Sequence, residues 1–394
     1  MSGSRKQRCR LGELVTLQRG YDLPESKRTA GTYPIVSSSG ISGSHNEYRV
    51  DGPGVVTGRY GTLGEVFYVQ GRYWPLNTSL YVKDFKGNHP LFISYYLRTV
   101  LSANFNAAGA VPGVNRNVLH KLEVPKPVGN QKLIAAILSA YDDLIEANKR
   151  RIALLEKLAE EIYREWFVRF RFPGHQHTRF IKGIPVNWVI NRFDEVANFT
   201  MGQSPPSKSY NESGHGLPFH QGVGTYGTRF PRNGTYCSGK GRKASKGDIL
   251  FSVRAPVGRL NIADCEMIIG RGLAAIRHKA GNNSYLYYML KVVFANEDII
   301  GNGAIFNSVG KDELARFKVL KPDDDLVLRY QRVADPIDEQ IEILSRSVEK
   351  LKGVREMLLP RLISGKVSVE ALDIQFPPSV KEEPKSTVLS AAYA

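Results

Sequence analysis

Two hydrophobic periodicities alternate along the 394-residue chain, and each occurs twice. From residue 11 to about 130, short apolar runs are broken by Gly-, Ser- and Asn-containing turns, the pattern of strands. Gly54-Val55-Val56-Thr57-Gly58, Glu65-Val66-Phe67-Tyr68-Val69 and Ser79-Leu80-Tyr81-Val82 read as strands, and residues 90–100 as a short helix. The spacing then changes to steps of three and four. Apolar residues fall at Ile134, Leu138, Tyr141, Ile145, Ile152, Leu155, Ala159, Ile162 and Trp166, broken only by Asn148. This predicts a long helix with a coiled-coil seam, stopped by Pro173-Gly174.

The same order follows again. Leu11-Gly12-Glu13-Leu14 through Gly20 aligns with Phe193-Asp194-Glu195-Val196 through Gly202. Residues 248–253 match the first strand and 273–277 the third. Leu286-Tyr287-Tyr288-Met289-Leu290 matches Ser94-Tyr95-Tyr96-Leu97-Arg98, and Gly303-Ala304-Ile305 matches Gly109-Ala110-Val111. A second seam runs through Ile337, Ile341, Leu344, Val348, Leu351, Leu358 and Leu362, with Arg355 as its break and Ser364-Gly365 as its stop. Pro360 predicts a kinked or shortened last turn. So long a period is not that of a solenoid, whose units run to roughly 20–50 residues; it is a duplicated module.

The expected fold is α+β: two similar globular domains separated by two long antiparallel coiled-coil helices, with pseudo-two-fold symmetry. The predicted divisions are residues 1–130, 131–172, 173–325 and 326–370, then a disordered tail at 371–394 that is polar and Pro-containing from Pro377. The first ten residues read as a loose arm. A helix of about 40 residues spans roughly 60 Å. The second can pair with the first only by running back along it, which would place the globular heads at opposite ends. Asn148 and Arg355 would fix register at some expense of stability, or be polar residues tolerated in an open part of the coil.

Charge sharpens this picture. The net charge of +16 is distributed as +8 over residues 1–130, +1 over 131–172, +7 over 173–325 and zero over 326–394. A generally basic surface would spread the excess over the helices. Confinement to the heads is the footprint of two polyanion-binding surfaces, and two such surfaces at a set separation suit duplex DNA read at two short, unlike sites. Candidate readers combine basic, amide and aromatic side chains. In the first head they are Arg19, Tyr21, Ser38, Arg59, Tyr60, Asn77 and Arg116; in the second, Gln203, Lys208, Gln221, Arg229, Lys240, Arg242, Lys243, Arg254 and Arg271. Taken singly, each reads equally as a solvated surface residue. The Gly-hinged cluster Lys240-Gly241-Arg242-Lys243 is the densest signal.

Signs of catalysis are few. Ser204-Pro205-Pro206-Ser207 resembles the (Asn/Asp/Ser)-Pro-Pro-aromatic loop of amino-methyltransferases, but Ser207 stands where an aromatic would stack on a flipped base. It reads as a turn. Ile363-Ser364-Gly365-Lys366 lacks the other features of a phosphate loop. Pro322-Asp323-Asp324-Asp325 reads as an acidic loop, His175-Gln176-His177 as linker and Gly301-Asn302-Gly303 as a turn. Cys9, Cys237 and Cys265 form no CxxC, which points to neither zinc nor disulfides and fits a cytoplasmic protein. No signal peptide or membrane-spanning run is visible. No cofactor or metal is expected for the chain itself.

From residue 11 to about 370 the chain resembles the specificity (S) subunits of Type I restriction–modification enzymes. The resemblance rests on the two diverged modules with their helical spacers, and on four phrases. Gln131 to Leu138 opens the first spacer, and Glu165-Trp166-Phe167-Val168-Arg169-Phe170-Arg171-Phe172-Pro173-Gly174 closes it. Ile184-Pro185-Val186-Asn187-Trp188 leads into the second module, and Leu359-Pro360-Arg361-Leu362-Ile363-Ser364-Gly365 closes the second spacer. The resemblance implies a non-catalytic DNA-recognition subunit that reads an asymmetric bipartite site. It also implies two methyltransferase (M) subunits, which bind S-adenosylmethionine, docked on the spacers, two restriction/translocase (R) subunits, and methylation at adenine N6 in each half-site. The competing readings are a self-contained DNA adenine methyltransferase and a coiled-coil adaptor between proteins.

Overall fold

The computed structural model describes residues 7–59, 65–105, 115–294 and 308–377. Tyr60, the Gly109–Val111 and Gly303–Ile305 pair, Gly301-Asn302-Gly303, the start of the arm and the tail beyond Pro377 lie outside the described residues. The chain forms two compact units, residues 1–147 with 348–394, and residues 148–347. Both divisions fall inside long helices. The fold is α+β, with the same sheet built twice.

In the first unit, a four-stranded antiparallel sheet has the order Thr16–Arg19, Ser79–Asp84, Gly54–Gly58, Val66–Val69. Gly54–Gly58 is buried along its whole length, which explains its unalternating apolar sequence. Short helix α1 (Leu11–Leu14) precedes the sheet, α2 (Pro90–Phe105) backs it, and α3 (Arg116–Lys121) follows. The core joins Leu17, Val55, Leu80, Phe92 and Tyr96 to Ile134 and Leu138 of α4 (Gln131–Tyr163) and to Leu359 and Leu362 of the last helix, α8 (Asp324–Ile363). A smaller sheet orders Gly40–His45, Tyr33–Ser37, Trp74–Pro75.

The second unit repeats the main sheet in the equivalent order Ala197–Met201, Leu273–His278, Ile249–Ser252, Leu260–Ile262. Helices α5 (Phe193–Val196), α6 (Asn283–Val293) and α7 (Lys311–Arg316) correspond to α1, α2 and α3. The aligned residues have aligned jobs. The Arg10 N–H donates to Glu13 Oε1 at 3.1 Å and the Arg192 N–H to Glu195 Oε2 at 3.0 Å, each capping its short helix. A Cβ on Gly20 would lie 2.2 Å from the Leu76 carbonyl oxygen, and one on Gly202 2.2 Å from that of Gly270. The units differ in the smaller sheet. Here it has five strands, Tyr210–Asn211, Tyr236–Cys237, Leu217–His220, Met267–Ile269 and Lys243–Ala244, the additions lying in and around an inserted segment at 222–245.

Within each unit the α4 and α8 segments run antiparallel. In the second, Asn148 Nδ2 donates to Ser347 Oγ at 3.4 Å and Tyr330 Oη to the Ala159 carbonyl at 2.8 Å. In the first, Arg355 ion-pairs with Asp142. Of the seam residues, Ile145, Asn148, Ile152, Ile341 and Val348 are buried, while Leu155, Ile162, Leu344, Leu351 and Leu358 are half-buried.

Two helix ends differ from expectation. α4 ends at Tyr163 and widens into a π-turn, Arg164–Val168, before reaching Pro173. The wider turn lets the adjacent rings of Trp166 and Phe167 both meet Tyr330, at 5.9 and 5.4 Å. Phe167 also meets Trp188 and Tyr285, so the phrase from Glu165 to Gly174 feeds an aromatic core. α8 does not stop at Pro360 but runs to Ile363 and ends on Gly365 at φ 66°. Pro360 is exposed, as is Glu356, whose carbonyl loses its helical partner. Among the described residues, no helix is long and apolar enough to cross a membrane.

Candidate nucleic-acid interface

Loops of the second unit form two adjoining clefts. One, of about 220 Å³, is lined by Gln221, Gly222, Val223, Ser252, Arg254, Ala255, Arg271 and Gly272. The other, of about 390 Å³, is lined by Gln203, Ser204, Pro205, Pro206, Lys240, Gly241 and Arg242. Ser204 joins them: its hydroxyl donates to Gln221 Oε1 at 3.0 Å and accepts the Arg271 backbone N–H at 3.3 Å. The glycines flanking Arg271 allow this close approach. A Cβ on Gly270 would lie 2.8 Å from Gln221 Oε1, and one on Gly272 2.5 Å from the Gln221 carbonyl oxygen.

The structure thus gathers Gln203, Gln221, Lys240, Arg242, Arg254 and Arg271 from distant parts of the sequence. All six are exposed. Among the described residues, none of the four cations forms an ion pair. Lys208 is exposed on the turn Ser207–Ser209, which the Ser238 N–H holds through the Ser209 carbonyl at 3.1 Å. Lys243 is engaged with Glu266 at 2.8 Å.

Arg229 departs from the expectation of a reader. Its side chain is 1% exposed, paired with Asp338 at 2.5 Å and Glu156 at 3.7 Å, and stacked 3.7 Å from the Tyr287 ring centre. Burial pulls its pKa down, but Tyr287, Asp338 and their neighbours more than reverse this, so it stays charged. It fastens the 222–245 segment to α4, α6 and α8 and has no surface to offer a duplex. The segment is also tied by His220, whose buried ring bridges Thr225 Oγ1 at 2.9 Å and Asn233 Oδ1 at 3.0 Å. Burial lowers the His220 pKa.

In the first unit, Tyr21, Arg59 and Asn77 are brought together. The Asn77 N–H donates to the Tyr21 carbonyl at 3.0 Å and the Arg59 N–H to that of Thr78 at 3.1 Å. Tyr21 is half-buried with its hydroxyl 3.0 Å from that of Tyr81, and the Asn77 amide is engaged by Asp22. Arg19 is exposed beside them, at the end of its strand. Ser38 lies in the turn between Tyr33–Ser37 and Gly40–His45. Arg116 is exposed at the start of α3, and no hydrogen bond or ion pair among the described residues ties it to this group.

Sequence reasoning did not name Ser204 as a site residue, although the Ser-Pro-Pro-Ser signal pointed at its turn. The other candidate chemistries resolve into structure. Asp324 and Asp325 open α8, paired with Lys321 at 3.0 Å and Arg329 at 2.7 Å, where the helix dipole favours acid. His175 bonds the Phe172 carbonyl at 2.9 Å. Among the described residues, no group of His, Cys, Asp and Glu is placed to hold a metal.

The family model for the Type I restriction modification DNA specificity domain matches residues 4–157 and 185–326. A putative type I restriction enzyme MjaX specificity subunit of Methanocaldococcus jannaschii is 32% identical over 295 residues, covering 71% of this chain and 69% of that protein. The MjaIX specificity subunit of the same organism is 23% identical over 296 residues, covering 71% and 67%. Among solved structures, a Type-I restriction-modification system S subunit from M. genitalium shares the fold, with a TM-score of 0.61 at 16% identity, covering 92% of this chain and 98% of that one.

Proposed function

This chain belongs to the Type I restriction modification DNA specificity family, and on that premise we propose that it reads an asymmetric two-part duplex sequence, one part with each unit. Its role is DNA recognition within a Type I restriction–modification system, and it is not itself the enzyme. The observation that carries the two-part reading is a main sheet of one strand order built twice, carrying unlike loop residues. Cations without acidic partners supply affinity for phosphate, and amide and guanidinium groups supply base discrimination.

Two methyltransferase subunits dock on α4 and α8, two restriction/translocase subunits join them, and adenine N6 is methylated in each half-site. The two helices set the gap between half-sites. The complex works in the cytoplasm. With roughly eight phosphate contacts, log affinity of the assembled complex for its site falls with log salt at a slope near −7. A near-flat dependence would contradict the reading. The purified chain alone transfers no methyl group to DNA from a labelled donor; transfer without partners would favour the self-contained methyltransferase.

A further inference from the structure

The smaller cleft of the second unit has a definite polarity. Arg254 and Arg271 can only donate hydrogen bonds. Gln221 carries both an acceptor oxygen and donor N–H groups. Ser204 Oγ accepts the Arg271 backbone N–H at 3.3 Å and donates its own proton to Gln221 Oε1 at 3.0 Å. With that oxygen turned back onto Ser204 above Gly270, the Gln221 amide NH2 is the group left for a ligand. The cleft thus offers two guanidinium groups and an amide donor, with no acidic side chain among its lining residues.

Base edges differ in what they return to such a lining. In the major groove guanine presents two adjacent acceptors, N7 and O6. Adenine sets an N6 donor beside its N7, cytosine presents an N4 donor, and thymine a single acceptor beside a methyl group. Three side chains that only donate therefore satisfy guanine and meet adenine N6 or cytosine N4 donor to donor. We propose that the Gln221–Arg254–Arg271 cleft reads guanine from the major groove in one half-site, with Gln221 as a specificity-determining residue and Ser204 as the residue that positions it. This rests on the DNA-reading function above and adds the base that this one cleft accepts.

The test uses the complex of this chain with its methyltransferase subunit. The methylated motif is first mapped by sequencing a host genome, and binding is then measured to duplexes in which single guanines are replaced by 7-deazaguanine, which lacks the N7 acceptor. Expected is one guanine, in one half-site, whose replacement weakens binding by roughly 5- to 150-fold. Gln221→Glu, an exposed substitution that exchanges the donor for an acceptor, should relax or change the base at that half-site and leave the other half-site intact. Ser204→Ala, which frees the amide to turn over, should relax the same position towards adenine. A second-unit half-site made only of A·T pairs would overturn the assignment, as would a Gln221→Glu complex that keeps the full motif. Arg254→Ala and Arg271→Ala complexes that bind every sequence more weakly without changing the motif would show phosphate anchoring and overturn it too. Failure of the intact complex to bind any duplex would instead remove the DNA-reading function on which it rests.

Discussion

Asp142 in the first unit and Asp338 in the second are 196 residues apart, the same spacing that separates seam residues Ile145 from Ile341 and Ile152 from Val348. Each carboxylate accepts a tyrosine hydroxyl from the helix backing its sheet, Tyr95 at 2.5 Å and Tyr288 at 2.9 Å. Each also meets an arginine, but from different places. Asp142 takes Arg355 of the partner helix, with 19% of that side chain exposed. Asp338 takes Arg229 of the inserted segment, at 1% exposure. The duplicated carboxylate has therefore been put to two uses. In the first unit it staples helix to helix; in the second it anchors the loop segment that carries Lys240 and Arg242. The contacts pair the tyrosines one residue off the sequence match. Aligning the Tyr-Tyr pairs matches Tyr95 with Tyr287, whereas the carboxylates match Tyr95 with Tyr288.

Removing Arg229 separates these uses most strongly. Arg229→Met leaves Asp338 without its buried cation and destabilises the second unit by about 3 kcal/mol or more. Urea unfolding followed by hydrogen exchange in each unit measures this, and adding Asp338→Leu should recover part of it, because Glu156 keeps Lys291 at 3.6 Å while the buried Tyr288 hydroxyl loses its acceptor. No loss on Arg229→Met would mean that the segment is held by other contacts. Gly20→Ala and Gly202→Ala are the symmetric control. Both place a methyl group against a backbone carbonyl, and each should destabilise its own unit by a similar amount, about 2 kcal/mol. Unequal losses in those two variants would show that the shared sheet is less alike than its strand order implies.

Arg355→Ala is a smaller change, about 1 kcal/mol in the first unit, because the pair is only partly buried. Smallest is the response to mild acid. His120, His220 and His278 all have their pKa lowered by burial from an ordinary 6.5. Each stays neutral when folded and protonates more readily when unfolded, so its contribution is complete above about pH 6.5 and is lost as pH falls towards the lower folded value. Two of the three are in the second unit, which should weaken more between pH 7 and 5.5. His220→Gln should flatten that difference, and equal weakening of both units would contradict the assignment.

The parts legible in sequence were those with long, regular burial. Gly54–Gly58 and Ile249–Ser252 are buried on both faces and so read as unbroken apolar runs. α4 and α8 bury one stripe for many turns. The smaller sheets were not legible, because strands of two residues such as Tyr236–Cys237 and Lys243–Ala244 are too short to show a period. Arg229 looked like its neighbours because the carboxylate that buries it lies 109 residues away in the chain. For the same reason, sequence could name Gln221, Arg254 and Arg271 as candidates without showing that Ser204 ties Gln221 to the Arg271 backbone.

The central claim is that each unit reads one block of sequence while α4 and α8 set the gap between blocks. One heptad inserted into each helix adds about 10 Å, or roughly 3 bp of duplex. Mapping methylated positions in a host expressing this variant with its methyltransferase partner tests the claim most directly. The account predicts two unchanged blocks separated by a gap about 3 bp longer; unchanged blocks with an unchanged gap would contradict it.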